Sequence, residues 1–318
     1  MKVAILNCSD IGKRRMIPAF QAIPDIEVVI VCSRDIRKAQ RYAEEFGISK
    51  WTDNPDDIIG VDLVYISSPP SEHFESIKTF LRRKINVLCE KSLTIDAYQT
   101  TYLINLADKN GVILQENYGF PFHTQWNWIT ENLNRIGEIL YVRSGFEFPP
   151  RDTKTDFRYK AALGGGALFD AGGYPIKLAS LLMGTPQRLD AVTHLSKSLD
   201  IDLSGRTFII DDMGISAFLT WSFESTYRCD VEIIGTRGTI KADKIFTPRV
   251  DESVKVSLSL IEGNINESHE FVCDHFVELI RDLKNKIENK DNSHHKSILK
   301  QSNWQTYVSS TSIRTFTN

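Results

Sequence analysis

Residues 2–12 read Lys-Val-Ala-Ile-Leu-Asn-Cys-Ser-Asp-Ile-Gly. Lys2 to Leu6 form a short apolar strand and Asn7 to Ile11 a turn. Gly12 then opens a segment with Met16, Ala19 and Phe20 at helical spacing. In a strand–turn–helix unit, the free amides and positive dipole end of the helix can hold a pyrophosphate. A full fingerprint of this kind has glycine at positions 7, 9 and 12; here Asn7 and Ser9 occupy the first two and only Gly12 is retained. On these residues alone, a plain turn in a sheet that binds something else stays open. Pro18 predicts a bend in the helix.

The same grammar continues outward. Val28 to Cys32 is a continuous apolar run, the pattern of a strand buried on both faces. Ile36, Ala39, Ala43 and Phe46 mark one face of a helix, and Leu63 to Ile66 a third strand. Phe74, Ile77 and Leu81 mark the next helix and Val87 to Cys89 a fourth strand. Leu93, Ala97, Ile104 and Ala107 form another helical stripe, and Val112 to Leu114 a fifth strand. Such alternation predicts a parallel sheet with right-handed crossovers. Ligands of these sheets bind beyond the carboxyl ends of the strands. The second strand runs into Ser33 and Arg34 before the first acid, Asp35. A cofactor with a free ribose diol meets an Asp or Glu at that point. Ser33 and Arg34 suit a 2'-phosphate instead. NADP(H) is therefore the preferred cofactor; NAD(H) stays open, with Asp35 on the diol and Arg34 solvated.

Composition bounds the rest. A chain of 318 residues exceeds what one hydrophobic core usually serves, so two domains are expected. The net charge of -3 asks for neither nucleic acid nor a charged surface as partner. The five cysteines (Cys8, Cys32, Cys89, Cys229, Cys273) are widely spaced, as buried reduced thiols would be. The first residues read as a strand rather than a secretory signal, and no stretch has the ~18 apolar residues of a membrane span. The cytoplasm is the expected location. No metal cluster stands out, because His73 and His123 are single and far apart.

Near Tyr118 the grammar changes. Residues 139–148, 214–223, 227–234 and 254–261 alternate like strands with one wet face, which predicts a largely antiparallel sheet. A helix is expected over about 268–287, with Phe271, His275, Phe276, Leu279 and Leu283 on one side. Residues 262–270 and 286–296 read as polar and exposed. The expected division is a dinucleotide-binding domain over 1–118 and a substrate-binding and oligomerisation domain over 119–318, the last helix placed where it can pack back on the first. The open sheet needs a cover, so a homodimer or dimer of dimers through it is expected.

Two clusters carry chemistry. The first is Val-Leu-Cys-Glu-Lys-Ser over 87–92, which puts Glu90 and Lys91 at the end of the fourth strand. A fixed ammonium there can orient a hydroxyl or carbonyl and assist proton transfer. The second is Leu-Gly-Gly-Gly-Ala-Leu-Phe-Asp-Ala-Gly-Gly-Tyr-Pro over 163–175. Its glycines permit close backbone approach. Asp170 and Tyr174, four apart, share a face if a helix begins here. A glycine-rich loop with a structural tyrosine is the plainer alternative.

Taken together, these pieces resemble the glucose-fructose oxidoreductase/inositol dehydrogenase (Gfo/Idh/MocA) family of nicotinamide enzymes. The resemblance rests on the N-terminal turn, Ser68 to His73, Cys89 to Thr94, Gly164 to Tyr174 and Gly235 to Ile240. It implies an α/β fold: an N-terminal Rossmann parallel sheet plus a C-terminal α+β domain with a large, mostly antiparallel open sheet. It implies an NAD(P)-dependent oxidoreductase acting on CH–OH or C=O groups. Lys91 and Tyr174 would be catalytic, with Asp170 and Glu90 in support. Tyr174 stands where many members have histidine, and Ser92 where proline usually follows the lysine. The cofactor would be held by Asn7, Ser9, Asp10, Ile11, Gly12, Ser33, Arg34, Ser68, Pro69, His73, Glu90 and Lys91.

Residues 115–125, 146–152 and 156–159 are similar to the sugar-nucleotide 3-ketoreductase branch. This implies substrate contacts from Tyr118, Phe120, His123, Phe148, Arg151, Arg158, Tyr159, Lys160, Gly165 and Tyr174. Aromatics among them would pack on a sugar or base, and Arg151, Arg158 and Lys160 would face a diphosphate, although each arginine equally suits an internal salt bridge. The function implied is NADPH-dependent reduction of a ketone on a nucleotide-linked deoxy-keto-sugar. A free phenol has a pKa near ~10, so Tyr174 suits proton donation in the reducing direction. Three alternatives stay open: a dehydrogenase of free sugars, inositols or dihydrodiols, a non-catalytic NADP-binding regulator, and a purely structural interaction protein.

Overall fold

The computed structural model describes residues 1–317. They group into two compact units: Met1–Tyr118 with Phe276–Leu299, and Gly119–His275 with the chain from Lys300 onward.

The first unit contains a six-stranded parallel sheet. Its strands are β1 (Lys2–Leu6), β2 (Glu27–Cys32), β3 (Lys50–Thr52), β4 (Leu63–Ile66), β5 (Asn86–Cys89) and β6 (Leu114–Glu116), in the spatial order β3-β2-β1-β4-β5-β6. The five expected strands are thus six, because Lys50–Thr52 adds a short edge strand whose Trp51 stays exposed and gave no apolar run. The last strand lies two residues later than the apolar run Val112–Leu114 suggests. Leu63 to Ile66 are completely buried, as apolar strands between helical layers must be. A π-helical turn over Gly12–Met16 leads into α1 (Ile17–Gln21). Pro18 falls at the second position of α1, where its missing N–H costs little, and the helix widens just before it.

Capping explains where the other helices start and stop. Asp35 accepts hydrogen bonds from the amides of Arg37 and Lys38 to begin α2 (Ile36–Phe46), and Gly47 ends it in the left-handed conformation at φ 66°. Helix α3 (Pro70–Arg82) follows β4. Asp96 and Gly111 delimit α4 (Ala97–Asn110) in the same way as α2. Leu93 therefore precedes its helix instead of lying in it.

The second unit is built on a nine-stranded sheet. Helix α5 (Thr124–Asn132) precedes β7 (Ile139–Glu147), and α6 (Gly173–Leu182) precedes β8 (Pro186–Ser196). Then come β9 (Asp202–Asp211), β10 (Ser216–Ser222), β11 (Arg228–Gly235), β12 (Gly238–Ala242), β13 (Val254–Leu260), β14 (Ile265–Phe271) and β15 (Ile313–Thr317). Their order is β14-β13-β12-β11-β7-β10-β9-β8-β15, with β7–β10 and β8–β15 parallel and the other pairs antiparallel. Burial alternates strictly along β11, so one face is core. Helices α5 and α6 pack on the sheet. The open face shows Tyr141, Phe208 and Phe218, with Phe208 directly opposite Phe218.

The expected helix over 268–287 is corrected: residues up to Phe271 form β14, and the helix begins at His275 as α7 (His275–Asn289). The polar stretch 262–270 is likewise mostly strand. No position of β14 is buried, so its sequence carries no period, and pairing with β13 alone makes it a strand. A final helix, α8 (His295–Thr311), has no counterpart in the sequence reading. Most of α7 and the first turn of α8 belong to the first unit. There, His295 Nε2 accepts from the Leu114 amide at 3.2 Å, while Nε2 of His294 lies 3.0 Å from the Leu114 carbonyl and donates to it. Two imidazoles thus take the place of a neighbouring strand on the outer edge of β6. All five cysteines are buried free thiols, and no helix among the described residues is long and apolar enough to cross a membrane.

Candidate active site

The strand order reverses between β1 and β4, and the residues following those strands form the ligand crevice of a doubly wound sheet. Asn7 sits at φ 74°, a region asparagine tolerates better than most non-glycine residues, which accounts for its place at a glycine position. Its carbonyl accepts from Ser67 Oγ at 3.0 Å. Ser9 turns its hydroxyl back to accept from the Gly12 amide at 3.0 Å. A Cβ on Gly12 would stand 2.9 Å from the Tyr42 hydroxyl, which itself donates to the Ser9 carbonyl at 2.6 Å. The turn is therefore tied down from α2, and only glycine fits at its end. Asp10 and Ile11 complete it, Asp10 pairing with Arg14.

Ser33 is buried and Arg34 largely exposed, its guanidinium 3.1 Å from Glu72. Asp35 is engaged as the α2 cap. Lys13, Lys38 and Arg41 join Ser9, Asp10 and Tyr42 around a cavity of about 400 Å³. Lys38 and Arg41 were not singled out from sequence; their spacing of three along α2, close after Arg34, was the available signal. Ser68 Oγ is buried with no partner among the described residues. With the glycine-only approach at Gly12 and the cations around the Ser9 turn, this orphaned hydroxyl fits a phosphorylated dinucleotide. Pro69 precedes α3. His73 is fully buried, its ring between the Ser92 carbonyl at 2.9 Å and the Ser68 carbonyl at 2.8 Å. It ties two loops together.

Glu90 and Lys91 follow β5. Glu90 Oε1 accepts from Tyr65 at 2.7 Å and from Asn117 Nδ2 at 2.6 Å. Burial pushes the Glu90 carboxyl above its usual range, and Tyr65, Asn117 and the Lys91 ammonium oppose that rise. Burial and Glu90 hold the Tyr65 phenol protonated, as donor. Neither Tyr65 nor Asn117 was anticipated from sequence. The Lys91–Ser92 peptide is cis.

The second unit contributes the glycine-rich segment. Gly166 has φ 130°, and a Cβ on Gly165 would lie 2.5 Å from the Arg158 carbonyl, so the backbone approach there needs glycine. A π-helical turn over Leu168–Gly172 runs into α6 and places Asp170 and Tyr174 in its first turns. Arg158 donates Nε to Asp170 at 2.6 Å and also pairs with Asp156 at 3.2 Å. Burial works against the guanidinium charge, but the two carboxylates outweigh it and hold the pKa above its usual value. The structure thus places Arg158 in an internal ion pair that fixes Asp170. The Tyr174 ring lies 4.9 Å from Phe146, 5.4 Å from Phe246 and 6.5 Å from Phe120.

The remaining candidates are spread. Tyr118 and Phe120 are buried, Phe120 against Trp126 and Phe246. His123 Nδ1 accepts from the Gln125 amide, and burial lowers its pKa to about 4, so it is neutral. Phe148 lies under the Arg151 guanidinium at 5.0 Å. Tyr159 is buried, its hydroxyl accepting from the Arg151 amide at 3.0 Å, and Lys160 is exposed.

A sheet of this order, with a lysine at a strand end beside a dinucleotide crevice, defines an NAD(P)-dependent oxidoreductase of CH–OH and C=O groups. The profile of the GFO/IDH/MocA oxidoreductase family, NAD-binding Rossmann fold, matches residues 1–118, and that of the GFO/IDH/MocA C-terminal domain matches residues 132–241. The chain belongs to this family. It is 37% identical over 257 residues to a dTDP-3,4-didehydro-2,6-dideoxy-alpha-D-glucose 3-reductase of Saccharopolyspora spinosa, covering 78% of this chain and 76% of that one. A reductase of the same name from Streptomyces violaceoruber is 36% identical, over 78% and 74% of the two chains. Among solved structures, KijD10, a 3-ketoreductase from Actinomadura kijaniata in complex with NADP and TDP-benzene, superposes with a TM-score of 0.94 at 30% identity, over 100% of this chain and 99% of that one.

Proposed function

We propose that this protein is an NADPH-dependent 3-ketoreductase of a nucleotide-linked deoxy-keto-sugar, with dTDP as the nucleotide. The observation that carries this reading is the retention of Lys91, Asp170 and Tyr174 in a chain that superposes over its whole length on a 3-ketoreductase complexed with NADP and TDP-benzene. Ser33 and Arg34 receive the 2'-phosphate, the Asn7–Gly12 turn the pyrophosphate. The bound nicotinamide supplies hydride to the ketone carbon. Tyr174 donates its proton to the carbonyl oxygen as negative charge develops there, and the Lys91 ammonium polarises the same oxygen. Asp170, locked by Arg158, holds the helix turn that presents Tyr174. Glu90, itself held by Tyr65 and Asn117, steadies the adjoining Lys91.

The deciding experiment follows NADPH oxidation with a dTDP-linked 3-keto-deoxyhexose, the free keto-sugar, and a panel of inositols. Turnover of the nucleotide-linked ketone alone is expected. Equal turnover of the free sugar refutes the nucleotide, and no turnover with tight NADPH binding points to a regulator. We also infer a homodimer, or a dimer of dimers, through the open sheet face. Exposed Tyr141, Phe208, Phe218 and Ile313 support it, with Phe208 directly opposite Phe218 on that face. Sedimentation equilibrium reads the mass directly.

A further inference from the structure

The helix turn that carries Asp170 has no local cap. Ala167, at its N-cap position, has no side chain able to accept a hydrogen bond, and Gly166 before it has none. Unsatisfied amides at a buried helix start need a partner. That partner arrives from another element. Oδ2 of Asp202, the first residue of β9, accepts from the Leu168 amide at 2.7 Å and from Trp221 Nε1 at 3.4 Å. Burial raises the Asp202 carboxyl to about 6, against the pull of those donors. The neighbourhood is shaped around this contact. A Cβ on Gly166 would lie 2.5 Å from Asp202 Oδ1. Trp221 is wedged between helix and sheet, where a Cβ on Gly172 would come within 2.9 Å of it and one on Gly205 within 2.4 Å. On the other side of the same residue, Gln305 Nε2 donates to the Leu168 carbonyl at 3.1 Å.

We infer that Asp202 is a positioning residue of the reaction: from β9 it anchors the first turn of the helix that presents Asp170 and Tyr174. The role rests on the proposed assignment of Tyr174 as proton donor. The Asp202 side chain bonds the Leu168 amide and Trp221 Nε1. It acts by fixing Leu168, from which Asp170 and Tyr174 follow along one helix.

Two measurements on the full chain test it, one without substrate. Amide hydrogen exchange over residues 167–174 should lose protection in Asp202→Ala, while β1 to β6 keep theirs. In the reductase assay the same variant should lose about 10- to 100-fold in kcat, the scale of a small misplacement of a reacting group, with KM and NADPH affinity within twofold. The isotope effect from 4-deuterated NADPH should rise, because the chemical step becomes slower. Asp202→Asn keeps an acceptor oxygen and should recover most of kcat; if the alanine variant does not fold, Asp202→Thr, whose shorter side chain withdraws the acceptor from the Leu168 amide, carries the same test. Unchanged exchange at 167–174 overturns the anchor. Lost protection with unchanged kcat overturns the positioning role. If wild-type protein turns over no keto-sugar, or Tyr174→Phe is fully active, the functional reading fails and the role falls with it; the exchange data still decide the anchor.

Discussion

The Tyr65 hydroxyl donates to Glu90 Oε1 at 2.7 Å, immediately before Lys91 in the chain. Tyr65→Phe removes one of the neutral donors to a desolvated carboxylate. The expected loss is about 1–3 kcal/mol of stability near neutral pH. The sign with pH follows from the raised Glu90 pKa. The protonated carboxyl is favoured in the fold, so the group stabilises most below the unfolded value and least once pH passes the folded one. Without Tyr65 the folded value rises further. Urea unfolding of variant against wild type should therefore show a larger deficit at pH 8 than at pH 5; an equal deficit excludes the carboxylate as the cause.

Lys91→Ala and Tyr174→Phe should each lower kcat by roughly 10²- to 10⁴-fold, the range of positioned proton transfer. NADPH affinity, read by fluorescence titration, should stay within a few-fold. Full activity in Tyr174→Phe removes it as proton donor.

Arg34→Ala should weaken NADPH but hardly touch NADH. A charged hydrogen bond to phosphate is worth roughly 1.5–3 kcal/mol, and the exposure of Arg34 screens part of it. A loss of about tenfold in NADPH affinity is expected. Equal weakening of both cofactors would falsify the 2'-phosphate assignment.

The His294–His295 pair predicts acid sensitivity. Burial, the dominant cause, lowers His294 to about 3 and lowers His295 as well; Lys286 adds to both, while Asp108 holds His295 up and Asp291 holds His294 up. The geometry agrees. His295 Nδ1 lies 2.8 Å from Asp108 and donates to it, and Nε2 must stay unprotonated to accept from Leu114. Both rings are neutral when folded and titrate near ~6.5 when unfolded. Their contribution is complete above that value and declines as pH falls below it, for His294 by roughly 1.4 kcal/mol per pH unit, since its folded value is about 3. Replacing both with glutamine should flatten the stability profile between pH 6.5 and 4.5 in urea titrations. A profile as steep as wild type would assign the slope elsewhere.

Much of the first unit is legible in the sequence because its strands are buried on both faces. Runs such as Val28–Cys32 and Leu63–Ile66 have no competing reading. The second unit is harder. β8 alternates, with Leu189, Ala191 and Thr193 buried between more exposed neighbours, but β14 has no buried position at all, so pairing rather than pattern makes β14 a strand. The candidate site divides the same way. Lys91, Asp170 and Tyr174 stand in contiguous motifs and stand out by eye. Their supports do not: Tyr65 and Asn117 reach Glu90 across 25 and 27 residues of chain, and Asp202 reaches Leu168 across 34. Packing brings those partners together, and a single sequence contains no spacing that announces it. Arg158 illustrates the converse, a cation whose type suits a diphosphate and whose neighbours are Asp156 and Asp170.

The imidazoles on Leu114 also bear on how the protein survives handling. A parallel sheet ends at β6 in a row of amides and carbonyls that any extended chain could pair with. His295 accepts from the Leu114 amide only while it is neutral, whereas His294 can donate to the carbonyl in either charge state. Acid frees that amide and leaves the β6 edge open to pairing. Brief exposure to pH 4.5 should therefore seed intermolecular strand pairing, visible as light scattering that grows with protein concentration and persists after neutralisation.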